Sequence, residues 1–372
     1  IAMTLRRRAL LQNLTAPFAA ALLSACGGGG SSGGGGAGSG RTYLYIANLG
    51  SDDISAFEVI DAAAGKLAPV AGAPFPTQGD EPRAVVASRD GRFLYVCNRD
   101  TSSIAVFAID ASSGAPSPIA GSPFPIVDLP FGMAIHPDGR TAIVASVADN
   151  AVFMLRIDPS SGVPSRLAGP FAAGSGPGAV LLNAAGTLAF VANQFSRSVA
   201  VYAVDTVNAT LMPVPGSPFD TGGDWVYQLA LHPSETMLFA VNYDSGTVAA
   251  FAVNVGGTMS RVGAPLAAGL EPYGVITDAS GSRVYVASGG SGQIHGFDID
   301  IALRTLAPMA GGPFDSGGTH GLVSDPTKRM AIVADFGADA ITTLTPGANG
   351  QLVTGERWPT GGQPLAMGFA VV

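Results

Sequence analysis

Seven times between Arg41 and the C-terminus the chain repeats one pattern at intervals of 46–50 residues, and this period narrows the possible folds more than any other feature. Each repeat holds an alternating apolar run whose last residue is its anchor: Asn48, Asn98, Ser146, Asn193, Asn242, Ser288 and Asp335. Six residues after each anchor stands a β-branched residue (Ile54, Ile104, Val152, Val199, Val248, Ile294, Ile341), and nine after it a large apolar one (Phe57, Phe107, Leu155, Tyr202, Phe251, Phe297, Leu344). Short runs such as Leu94-Tyr95-Val96 and Ile104 to Ile109, cut by Gly, Pro, Asn and Asp, read as strands. A fourth segment carries Pro-Phe or its relic, at Pro74-Phe75, Pro123-Phe124, Pro170-Phe171, Pro218-Phe219, Pro265-Leu266 and Pro313-Phe314. Proline belongs on an edge strand, where its missing N–H removes no ladder bond. Four strands per unit at this period predict an all-β fold, a seven-bladed β-propeller of four-stranded antiparallel blades over residues 41–372.

The ends of the repeat predict how the ring closes. The chain enters the first blade at its second strand, and Pro364 to Val372 has the character of a first strand without partners. That last strand is expected to complete the blade begun at Arg41.

The first 40 residues have a different character. Arg6-Arg7-Arg8 followed by the apolar stretch Ala9 to Leu23 reads as a signal peptide over 1–25. The sequence Leu23-Ser24-Ala25-Cys26 resembles a bacterial lipoprotein cleavage box, which makes Cys26 the lipidated residue and places the chain in the cell envelope. The alternative is an ordinary cysteine after a secretory signal. Residues 26–40 are almost all Gly and Ser, a tether of about 20 Å mean reach. No later segment is apolar for long enough to cross a membrane, so the lipid would be the only attachment.

Charge and cysteine content exclude several classes. The net charge is −8, and loss of the signal removes three arginines and no acid, giving −11. An acidic chain without a basic stripe is not a nucleic-acid binder. Of the 2 cysteines, Cys97 lies within a strand, so no disulfide is available to the domain. No Walker loop, His-Glu-x-x-His, Gly-x-Ser-x-Gly elbow or Cys/His cluster occurs, and neither a cofactor nor a metal is expected.

Chemistry in a propeller gathers at the central mouth, where first strands begin and second strands end. Counting back along each repeat puts Arg83, Phe131, Gly178, Tyr227, Tyr273, His320 and Leu365 there. The adjoining loops add Asp52, Asp53, Arg99, Asp149, Arg197, Tyr243, Asp244 and Asp339, with Trp225 close by. The aspartates are either solvated turn residues or a Ca²⁺-holding rim; they follow no EF-hand spacing. His136 and His232 precede prolines in turns on the opposite face, and His295 lies within a third strand. His320 is either a base working near neutral pH or a hydrogen-bonded mouth residue without catalytic duty.

The strand ends of the Tyr-Val-Ala-Asn type, the third strands of the Val-x-x-Phe-x-Ile-Asp type and the Gly-Ser-Pro-Phe segments together resemble the lactonase-type seven-bladed propellers. Glu81-Pro82-Arg83 is similar to that family's Pro-Arg strand. His320, with the later Asp335-Phe336-Gly337-Ala338-Asp339, is similar to its Pro-His strand and following loop. The family's adjacent Arg-His first strand has no counterpart; the corresponding positions read Tyr227-Gln228, Tyr273-Gly274 and Leu365-Ala366. The resemblance implies a lactone hydrolase in which His320 and Asp335 activate water and Arg83 binds a carbonyl or carboxylate. The competing expectation is a non-enzymatic propeller that binds a surface ligand, polymer or protein through Tyr227, Tyr273, Phe131 and Trp225. Either way the partner is a small-molecule lactone or a surface ligand, and the protein is expected to be a monomer.

Overall fold

A computed structural model describes residues 40–318 and 320–372. The expectations for the signal peptide, Cys26 and nearly all of the tether lie outside the described residues. The described residues contain strands and turns and no α-helix, and none of their elements is a helix able to cross a membrane.

Seven antiparallel sheets form the ring. In blade 2 the strands are Pro82–Ala87, Phe93–Asn98, Ser103–Ile109 and Pro116–Pro118, from the axis outward. All seven anchor residues close second strands as expected, and six of them are completely buried. Closure also follows the expectation. The last strand, Pro364–Val371, pairs with Thr42–Asn48, with Thr42 opposite Val371 at one end and Asn48 opposite Pro364 at the other.

The repeated offsets have a physical cause in strand register. The β-branched residue six after the anchor faces the apolar residue of the outer segment: Ile54 opposite Phe75, Val199 opposite Phe219, Val248 opposite Leu266, Ile294 opposite Phe314. Such cross-strand apolar pairs are the unit of sheet stabilisation. In four blades the outer strand breaks after its first half, and pairing resumes at the two-residue segment that carries this apolar residue. Blade 7 lacks Pro-Phe, and there Trp358 stands opposite Ile341 instead.

No blade has a core of its own. Seven hydrophobic clusters form, each joining one blade to the next, from Tyr45, Ala56, Val85 and Phe107 between blades 1 and 2 round to Leu44, Phe57, Ile332 and Phe369 between blades 7 and 1. Alternation explains this: Tyr45 and Ala47 face one neighbour, and Leu44 and Ile46 face the other. Each fully buried large side chain contributes about 1.5–3 kcal/mol. Tyrosine hydroxyls add directed bonds between blades, donating from Tyr45 to the Gly114 carbonyl (2.7 Å), from Tyr95 to Gly162 (2.9 Å) and from Tyr285 to Gly350 (2.6 Å).

Candidate functional site

The first strands line a central cavity of about 170 Å³, and their backbone geometry aims side chains into it. In six blades the pairing between first and second strands slips at the mouth. Pro82 faces Asn98 and Ala84 faces Cys97, which leaves Arg83 as the extra residue of a bulge. The same slip occurs around Phe131, Gly178, Tyr227, Tyr273 and Leu365. A bulge bends its strand and turns the extra side chain out of the ladder. Just before each bulge the entering residue is left-handed: Glu81, Leu129, Gly176, Trp225, Glu271 and Gln363 have φ between 41° and 64°. Their carbonyls accept the N–H of the residue that follows each anchor (Arg99 to Glu81, Tyr243 to Trp225, Gly289 to Glu271), which holds the strained turn in place.

Arg83, Phe131, Tyr227, Tyr273 and Leu365 line the cavity. Arg83 is the one cation among the described residues that do so, and its side chain is 15% exposed. It pairs with Glu81, whose other carboxylate oxygen meets Arg99, and Arg99 also pairs with Asp100 (3.1 Å). Burial raises the Glu81 pKa, and the two guanidiniums work against that rise. The Arg83 guanidinium lies 5.4 Å from the centre of the Phe131 ring, a cation–π distance. Burial pushes the Tyr227 hydroxyl up to about 12 and raises Tyr273 as well, so both remain neutral donors across the physiological range.

His320, Asp335 and Trp225 stand outside the cavity lining. His320 adjoins it through Tyr273, 4.3 Å between ring centres, and stacks on Phe336 at 4.7 Å. Its backbone N–H donates to the Ala334 carbonyl (2.9 Å), which ties it to the second strand of blade 7. The next residue, Gly321, does line the cavity, and a Cβ there would stand 2.2 Å from the Leu365 carbonyl oxygen. Only glycine permits that approach of blades 7 and 1. Burial pushes the His320 imidazole down to about 4, with the Asp335 charge opposing the shift. The ring is therefore uncharged at neutral pH and a weaker base than the near-neutral value expected for histidine. Asp335 occupies the place of the buried Asn or Ser of other blades, and its carboxylate accepts from Arg357 (2.6 Å).

Trp225 belongs to a file of rings that runs outward from the cavity. Tyr227 meets Phe131 (6.2 Å) and Tyr273 (4.6 Å); Tyr273 meets Tyr243 (4.8 Å); Tyr243 meets Trp225 (5.7 Å); and Trp225 meets Phe195 (5.3 Å). The rim aspartates mostly hold turns. Asp52 accepts from the Glu81 N–H (2.8 Å), Asp339 from that of Gln363 (2.8 Å) and Asp53 from the Asn48 amide (2.6 Å). Among the described residues no group of three or more His, Cys, Asp or Glu is placed to hold a metal ion.

Phe336, Phe195 and Arg357 do not stand out in the sequence. Phe336 follows an anchor residue, as Arg99 and Tyr243 do, so extending that alignment finds it. Phe195 is a large ring in a polar turn, a weaker signal. Arg357 sits on an outer strand and reaches Asp335 only through blade folding, with no local signal.

A ring of seven four-stranded blades around a cavity lined by a partly buried arginine and two tyrosines defines a seven-bladed β-propeller with a central pocket. The model of the lactonase seven-bladed β-propeller family matches residues 38–125, 132–223 and 219–360, and the chain belongs to that family. A 6-phosphogluconolactonase of Sodalis glossinidius (strain morsitans) is 27% identical over 144 residues, which is 37% of this chain and 43% of that relative, so the match spans less than half the relative's length. The solved periplasmic gluconolactonase of Pseudomonas aeruginosa superposes with a TM-score of 0.72 at 19% identity, covering 89% of this chain and 99% of that one. A protein from Lactobacillus plantarum superposes with a TM-score of 0.75 at 15% identity over 89% and 99%. At those identities the superpositions speak to fold alone.

Proposed function

We propose that this protein hydrolyses a lactone at the central mouth. The observation that carries the reading is Arg83, a guanidinium lining the cavity and held in place by Glu81. Membership of the lactonase family and the lactonase names of its relatives support it. In the reaction, water attacks the lactone carbonyl and Arg83 stabilises the negative charge that develops on its oxygen. The neutral His320 takes the proton of the attacking water, and Asp335 stabilises the imidazolium that results. The ring C–O bond then breaks, its oxygen takes the proton that His320 holds, which restores the neutral imidazole, and the hydroxy acid leaves, giving its carboxyl proton to solvent.

A non-catalytic ligand-binding propeller is the second reading. The low basicity of His320 and the engagement of Arg83 and Asp335 in ion pairs favour it. A panel of sugar and aliphatic lactones separates the two. Turnover above the spontaneous rate that falls about 10²–10⁴-fold in His320→Ala supports the hydrolase and its base. Turnover that survives the substitution keeps the enzyme and discards His320. Folded protein inert on every lactone leaves the binding reading.

A further inference from the structure

The rim of the mouth is divided by chemistry. On the blade 2 side stand two guanidiniums and two carboxylates (Arg83, Arg99, Glu81, Asp100), so the cationic charge is already balanced from within. On the side of blades 4 to 6 the rings run continuously from the cavity to the surface, where Phe195 is 55% and Leu270 66% exposed. The charges near this side are the exposed Arg197–Asp224 pair (3.0 Å), already balanced, and Glu271 and Asp244, which lie close enough to Tyr243 to raise its pKa, behind burial as the leading cause.

Trp225 sits in this apolar sector at a cost. Its backbone is left-handed (φ 57°), a conformation that costs a residue with a side chain about 1–2 kcal/mol, and its indole N–H is buried without a partner. The left-handed backbone belongs to the entry turn that six blades share, but the buried, unpaired indole N–H does not, and an orphaned donor kept at a mouth points to a ligand. Phe195 is held as closely. It lies over Gly176, where a Cβ would be 2.4 Å from its ring, and against Trp225 on the other side. The cavity itself, about 170 Å³, is below the ~300–1,000 Å³ usual for drug-sized ligands. It accepts a small ring and leaves the rest of a larger molecule on the rim.

We propose that the substrate is an uncharged lactone bearing an apolar or planar arm, with its ring beside Arg83 and its arm along Tyr227, Tyr243, Trp225 and Phe195, and that sugar phosphates are excluded. This rests on the lactone reading above. A phosphate would meet no uncompensated cation at blade 2 and two carboxylates at blades 5 and 6.

The test is a series of γ-lactones with alkyl arms of increasing length, beginning with γ-butyrolactone, run beside 6-phosphoglucono-δ-lactone. The expected kcat/KM rises about fourfold per methylene over the first members, and Phe195→Ser flattens the rise for the longest arms. Hydrolysis without dependence on arm length, or with the phosphorylated lactone preferred, overturns this proposal and leaves the lactonase reading standing. If nothing is hydrolysed, the lactonase reading fails by itself and binding decides the arm. The chain has only 2 tryptophans. In Trp358→Phe the emission therefore reports Trp225 alone, and it should shift at lower concentration as the arm lengthens. An emission unmoved by every lactone overturns the proposal.

Discussion

An imidazole in water loses its proton near pH 6.5, whereas burial against Tyr273 and Phe336 holds His320 near 4. The working form of a general base is the neutral one, so the sign is simple. Activity that depends on His320 is complete above about pH 5 and is lost as pH falls through about 4. The expected kcat/KM profile is level from pH 6 to 8 with its acid limb near 4. A limb near 6.5 would mean that the base is solvated or is another residue. A second residue-level expectation concerns Arg83→Ala, which should lower turnover about 10²–10³-fold if the guanidinium carries the oxyanion charge. Six of the seven mouth residues are countable from the repeat because a bulge at a fixed strand position places them, and His320 is found by the same count although blade 7 has no such slip. Their charge states are not, since these depend on neighbours such as Glu81 and Phe336 that reach them only in the folded ring.

At the scale of the elements, three second strands, those of blades 1, 2 and 6, are fixed to the following blade by tyrosine hydroxyls. Tyr95→Phe would keep the ring in the core and leave the Gly162 carbonyl, now accepting at 2.9 Å, without its donor. The expected loss is about 1–3 kcal/mol, seen as a melting temperature lower by a few degrees with hydrolysis unaltered at permissive temperature. Strand boundaries and outer-strand apolar residues are legible in the sequence because register repeats. Blade 7 is the exception. It fills the Phe position with Trp358 on an unbroken strand, and no Pro-Phe marks it in the sequence. The outer-strand breaks are invisible for a related reason, since they lie between residues that all read as edge strand.

At the scale of the whole molecule, stability resides in the interfaces between blades. A chain ending at Gly362 loses the strand that pairs along Thr42–Asn48 and, with Met367 and Phe369, part of the cluster joining blades 7 and 1. It should unfold at markedly lower temperature and without a single cooperative transition, as measured by calorimetry; melting like the intact chain would refute closure by that strand. The period makes the architecture legible from sequence, and the unpaired strand characters at the two ends make the closure legible.

The same seam fixes an orientation. Arg41 accepts the N–H of Val372 (2.9 Å) at one end of a seven-residue strand whose other end, Asn48, reaches the mouth beside Pro364. At about 3.3 Å per residue the two ends lie about 20 Å apart through the thickness of the disc. The chain thus enters the ring on the face away from the mouth, like a horn gripped by its mouthpiece, and a pull applied at Gly40 is carried first by the strand pair that closes the ring.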